Sequence, residues 1–294
     1  MFNKKIVKKY LARKNRFLET YIFLRRLVDI LYDIQDVRMR TANRLRGLPK
    51  EVLGIYVAPL LELEKETTKR IKDFLKDLPE YEVFKDIKGI GTRLAGSWIS
   101  SIMIRYDLVD EKDLKNYSEL QQEYKFKTKD GKFRVPTIRG ITAFSFVSHV
   151  WSWCGLSVID GHAPRMVSKT KSDFNPKMRT LTWKTRKQFI IQGDLYRKLY
   201  DIYKKELTET SRYAVALQNP EFCPRYEECK ERLGRAAKRL GREMKKFPCK
   251  GHIDSMASVK MVKDFIKHFY IRWLEMEGLP VPPPYDHEHR HHEA

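Results

Sequence analysis

Apolar positions recur with a period close to 3.6 residues along most of the chain, and this pattern predicts a mainly α fold. From residue 4 to about residue 47 the stripe runs through Ile6, Tyr10, Leu11, Phe17, Leu18, Tyr21, Ile22, Leu24, Leu27, Val28, Ile30, Leu31 and Ile34, with room for one break. Pro49 and Gly54 interrupt it. A second helix is predicted from Val57 or Pro59 to Leu75, with Leu60, Leu61, Leu63, Ile71, Phe74 and Leu75 on its seam and Glu/Lys pairs outside. A stripe of this size needs a cover, so residues 1–80 read as a basic N-terminal helical hairpin or coiled coil. Neither stretch keeps a strict heptad, which leaves packing within one chain and self-association into a homodimer both open.

At Ile87 the pattern changes. Ile87-Lys88-Gly89-Ile90-Gly91-Thr92-Arg93-Leu94-Ala95 places two glycines between a polar helical run and a second run, Leu94 to Ile104. Glycine at both positions permits a tight turn and leaves bare N–H groups at a helix N-terminus, where a phosphate is received. Ile87, Ile90, Leu94 and Ala95 are the expected packing residues, and Lys88 and Arg93 supply charge beside the turn. This reads as a helix-hairpin-helix, a unit that holds the nucleic-acid backbone without reading sequence. An ordinary helical corner has the same two glycines.

Beyond it, Asp107 to Glu123 is polar and peripheral in character. Tyr124 to Val135 then alternates apolar and basic residues around Asp130-Gly131, which predicts a small β-hairpin with one positive face. Residues 143–156 form the most hydrophobic window and are expected in the core, with His149 a buried, hydrogen-bonded histidine and Cys154 a buried thiol. Ile159 to Pro176 is rich in breakers and reads as a loop. One amphipathic helix is predicted from Met178 to about Thr210, and a last helix over 253–277 that stops at Gly278. A domain spanning 81–280 therefore follows the hairpin. Residues 281–294, with their His-rich end, read as a disordered tail.

The net charge of +21 on 294 residues sharpens this picture, because it calls for a polyanionic partner. Nucleic acid is the first candidate and an anionic membrane surface the second. Residues 1–50 hold 14 Lys and Arg, and residues 165–205 hold 12, interleaved with Phe174, Trp183 and Phe189. In the second segment Lys169, Lys171, Lys177 and Arg179 lie on a loop entering a helix, a suitable surface for phosphate contacts. No run of 18 apolar residues occurs, so no membrane span is expected. No apolar region follows the basic N-terminus, which points to a cytoplasmic protein with reduced cysteines.

Those cysteines supply the best chemical constellation. Cys223 and Cys229 precede Cys249-Lys250-Gly251-His252, a tight Cys-x2-His knuckle, and the four together would hold a structural zinc in a closed tetrahedral site. The five-residue gap between the first two cysteines is wider than usual. Lys230 to Lys246 fits a basic helix between the pairs.

The order of these features resembles the C-terminal transposase domain of the Piv/MooV-type DNA invertases and related insertion-sequence transposases. The resemblance is carried by Ile87-Lys88-Gly89-Ile90-Gly91 after a helical stretch, by Cys154-Gly155-Leu156, and by the basic loop leading to Asn175-Pro176-Lys177-Met178-Arg179. It covers roughly residues 20–275. The run His252 to Ala257 and the segment Trp273 to Pro282 are similar to a branch associated with archaea. The resemblance implies DNA as the partner and a mobile-element origin.

It also implies strand transfer by a serine followed by glycine, together with an acidic ribonuclease-H-like domain. Here the corresponding loop reads Gly161-His162-Ala163-Pro164-Arg165, Ser157, Ser168 and Ser172 lack that neighbour, and no strand–acid–strand pattern precedes Ile87. The expectation is thus a DNA-binding protein using Lys88, Gly89, Ile90, Gly91, Arg93, Lys169, Lys171, Lys177 and Arg179. The alternatives are a transposase or recombinase, alone or completed by a partner subunit, and a protein bound to a membrane surface through its basic helix.

Overall fold

The computed structural model describes residues 3–158, 163–164, 172–211, 213–217, 219–223, 225–240 and 249–283. The fold is mainly α, with one small antiparallel sheet. The chain parts into two compact units, residues 1–153 with 269–294, and residues 154–268. The N-terminal helices and the segment after residue 80 thus fall in the same unit.

In the first unit, α1 (Lys4–Asn15) starts at Asn3, whose side chain accepts from the Lys5 amide at 2.8 Å. The expected break comes at Arg16 and Phe17, and α2 (Leu18–Arg44) follows. It buries Leu18, Tyr21, Ile22, Leu24, Val28, Leu31 and Ile34, much of the predicted stripe. α3 (Lys50–Lys76) begins well before Val57: Gly54 lies inside it, and so does Pro59. Its buried seam is Glu64, Thr67, Ile71 and Leu75.

Between α3 and the glycines the chain makes a short 3-10 turn, Pro79–Val83, and then α4 (Thr92–Met103) runs through the core. Every residue of α4 from Leu94 to Met103 is buried, because α2 and α3 both pack on it. Gly96 permits this: a Cβ there would meet the Ile71 side chain at 2.9 Å. Trp98 packs on Phe269 with ring centres 5.1 Å apart, and Trp273 meets Phe84 at 6.0 Å. Each fully buried ring of this kind contributes roughly 2–3 kcal/mol.

Three strands close the unit. β1 (Ile104–Val109), β2 (Phe126–Lys127) and β3 (Phe133–Ile138) lie in the order β1-β3-β2, all antiparallel, with Ile104 opposite Ile138 and Phe126 opposite Arg134. The hairpin around Asp130-Gly131 forms as expected, with Gly131 at φ +80°. The longer pairing, β1 with β3, joins segments thirty residues apart and takes in residues that read as polar periphery. α5 (Glu119–Glu123) sits between them, opened by a Ser118/Gln121 capping box.

The window 143–156 is only partly core. α6 (Val147–Trp153) buries Val147 and Val150, but it is one short helix with an exposed side. His149 lies on that exposed side against the edge of the Phe146 ring and is not a core histidine. Cys154 is fully buried.

The second unit is helical throughout its described residues. α7 (Pro176–Gln192) starts at Asn175, whose side chain accepts from the amides of Lys177 and Met178, with proline at the first position. The single helix predicted to Thr210 is in fact two, because Gly193 and Asp194 both adopt positive φ and end α7 before α8 (Leu195–Thr210) begins. α9 (Tyr226–Leu240) and α10 (Cys249–Met276) follow. α10 gives its residues up to His268 to this unit and the rest to the first. Phe189, Tyr196 and Phe265 form the aromatic centre, with Phe189 and Tyr196 stacked at 4.4 Å. Along α8 and α10, Tyr200 donates to Asp254 at 3.0 Å and Tyr203 to Asp264 at 2.5 Å.

Candidate nucleic-acid interface and cysteine–histidine cluster

The Gly-Ile-Gly bend has the local geometry its sequence predicts. Gly89 adopts φ +94°, a left-handed conformation that a side chain rarely tolerates. The Ile90 amide donates to the Ile87 carbonyl at 2.9 Å, and Ile90, Leu94 and Ala95 turn inward. Gly91 is the N-cap of α4, exposed and with open space where a Cβ would stand. No side chain among the described residues caps the helix, so the partial positive charge of its first-turn amides is not answered by a capping group.

Lys88 beside the bend is exposed. Arg93 is not a free charge: its Nη1 lies 3.1 Å from Glu64 Oε1. Glu64 also receives Arg38 at 2.6 Å and Gln35 at 2.7 Å. Burial pushes the Glu64 carboxyl up, but the hydrogen bonds from Arg38 and Gln35 and the charges of Arg38 and Arg93 outweigh it and hold the group below its ordinary value.

In the second unit, Lys177 is exposed at the start of α7 and Arg179 is partly buried two residues further along. Arg179 lies over the Phe174 ring at 4.8 Å and donates to the Pro164 carbonyl. Lys169 and Lys171 lie outside the described residues, as do Gly161, His162, Arg165 and Ser168. The bend and the start of α7 therefore belong to different compact units.

For the metal reading, the structure brings two of the four residues together. Cys229 Sγ lies 3.9 Å from His252 Nε2, and Cys223 and Cys229 are both buried. The Tyr213 ring packs on His252 at 4.9 Å. Cys249 opens α10 three residues before His252, one turn along the helix, but its side chain lies outside what is described. Among the described residues no group of three or more metal-ligating side chains is assembled. No described helix is long and apolar enough to cross a membrane.

Two polar clusters escaped the sequence reading. Lys14 is buried, its Nζ 2.6 Å from Glu80 and 2.5 Å from Glu277, with Tyr21 donating to Glu80 at 2.7 Å and Arg13 bonded to Glu277. Arg186 faces the interior of the second unit and donates to the Ser258 hydroxyl at 3.3 Å. Lys14 and Arg186 sit on the apolar stripe of their own helices, and Glu64 does the same on α3. A charge on the buried face was the available signal; its partner could not be read locally.

No protein-family model, curated protein or solved structure matches the chain.

Proposed function

We propose that the protein binds DNA through its sugar–phosphate backbone, one anchor being the Gly-Ile-Gly bend and a second the basic entry to α7. The observation that carries this reading is the uncapped N-terminus of α4, opened by exposed Gly91 beside exposed Lys88, in a chain of net charge +21. Uncapped amides with a neighbouring cation form a phosphate site that needs no base contact. Lys177 and Arg179, together with Lys169 and Lys171 in the preceding loop, supply the second set of cations. The resemblance to invertase and transposase C-terminal domains favours DNA over RNA. The test is a titration of labelled duplex over a range of salt. Binding should weaken steeply as salt rises, because each neutralised phosphate releases counterion. Salt-insensitive binding, or binding to anionic vesicles but not to duplex, would overturn the reading.

Two subsidiary proposals rest on particular observations. The approach of Cys229 to His252, with Cys223 buried and Cys249 one turn away, supports a structural zinc held by the four. Metal analysis of the purified protein decides it. The far end of the α2/α3 hairpin exposes Leu48, Ile55 and Tyr56, each more than half accessible, which supports a homodimer formed through the N-terminal helices. Sedimentation of the full chain, compared with an Ile55→Glu variant, tests that contact.

A further inference from the structure

Charges drawn away from water are normally paired, and two partly buried arginines of α7 depart from that rule. Arg179 and Arg186 are seven residues apart, two helical turns, and so project from one side of α7 with buried Thr182 between them. Neither forms an ion pair with a carboxylate among the described residues. Arg186 donates to the Ser258 hydroxyl, which in turn donates to the Ser255 carbonyl at 2.9 Å, while its buried Nε has no hydrogen-bond partner. Burial and then the like charge of Arg179 weaken Arg186's hold on its proton. A guanidinium does not deprotonate in a protein, so the repulsion stays.

The packing around Arg179 is tightly specified. Gly155 adopts φ +68°, and a Cβ there would meet the Phe174 ring at 2.9 Å and Arg179 Cδ at 3.2 Å. The absence of a side chain at Gly155 lets the ring and the arginine close onto the backbone. Two guanidinium groups two turns apart on one side of a helix, neither paired with a carboxylate among the described residues, suit a tetrahedral oxyanion, which can accept from both.

We propose that Arg179 and Arg186 form an oxyanion site for a phosphate group, supplied by free phosphate or by a nucleic-acid strand. Ser258 is a positioning residue that orients Arg186. The strand as source rests on the DNA-binding reading above; the site itself does not.

The full-length chain is melted in phosphate and in chloride at equal ionic strength, as wild type, Arg186→Gln and Arg186→Lys. In chloride, Arg186→Gln should melt at or above wild type, because an uncompensated charge has gone. In phosphate the order should reverse, and calorimetric titration should show phosphate affinity falling about tenfold or more in Arg186→Gln and by less in Arg186→Lys, which keeps the charge but loses the fork. Arg186→Gln melting below wild type by the same margin in both salts, with unchanged phosphate affinity, overturns the site and makes Arg186 a packing residue. Duplex binding separates the sources. Loss of duplex affinity in Arg186→Gln assigns the site to the strand. Phosphate binding by a wild-type chain that ignores duplex keeps the site and removes the DNA reading. Salt-sensitive duplex binding with no phosphate effect and no change in Arg186→Gln does the reverse.

Discussion

Arg93 and Arg186 meet opposite circumstances, one at the start of the buried helix α4 and the other within the basic helix α7. Arg93 reaches back to Glu64, a buried carboxylate that Arg38 and Gln35 also hold, so its charge is largely answered within the protein. Arg186 donates to a hydroxyl and feels the like charge of Arg179. Counting basic residues therefore overstates the bend and understates α7. At the bend the positive character comes from backbone amides and Lys88; at α7 it comes from guanidinium groups with no ion-pair partner among the described residues.

The contrast is best broken at the glycines. Gly155→Val forces a side chain into the left-handed region and against Phe174, and should cost about 3 kcal/mol or more by chemical denaturation, with Arg179 displaced. Gly91→Ala, at φ −78° with open space around it, should stay within about 0.5 kcal/mol. Next in size is Glu64→Gln, which leaves Arg38 and Arg93 short of a carboxylate and should lose about 2 kcal/mol. The same change frees Arg93, so duplex affinity in a binding titration should rise; an unchanged affinity would remove Arg93 from the interface. Gly89→Ala should cost about 1 kcal/mol, because alanine at φ +94° is strained.

Smaller effects sharpen the picture. Lys177→Gln should lower the slope of log affinity against log salt by about 0.9, and Arg93→Gln by less, since Glu64 already screens it. The last is a pH dependence. Glu64 titrates below its ordinary value of 4.5 in the folded protein, so its contribution is complete above about pH 4.5 and is lost as pH falls through the lower, folded value. Melting temperatures of wild type and Glu64→Gln should converge on acidification.

Helix periodicity made α2, the later part of α3 and the body of α10 legible, because each carries a recurring apolar stripe, and α4 was legible as an apolar run that is buried all round. The Asp130-Gly131 hairpin was legible because its turn chemistry is local. The β1–β3 pairing was not, since the alternation of Ile104-Arg105-Tyr106-Asp107-Leu108 follows directly on the apolar run of α4 and its partner lies far along the chain. His149 misled because it sits in an apolar window whose helix is only seven residues long, too short to bury every side. The break at Gly193-Asp194 was missed because apolar residues continue through it in helical phase, while the conformation is set by two positive φ angles. Of the candidate site, the bend was visible in sequence, whereas Asn175-Pro176 read as loop breakers and the structure makes them the cap and first residue of α7. The pairing of Arg93 and the isolation of Arg186 depend on which helix faces which, and no local pattern encodes that.

The ion cluster at Lys14 ties the beginning of the first unit to Glu80 and to Glu277 near the end of α10. On the ribosome, the second carboxylate is made long after the lysine. Until it emerges, α1 has a lysine to bury and half of its counter-charge, so the nascent N-terminal helix should stay undocked, open to chaperones, while the intervening chain is translated.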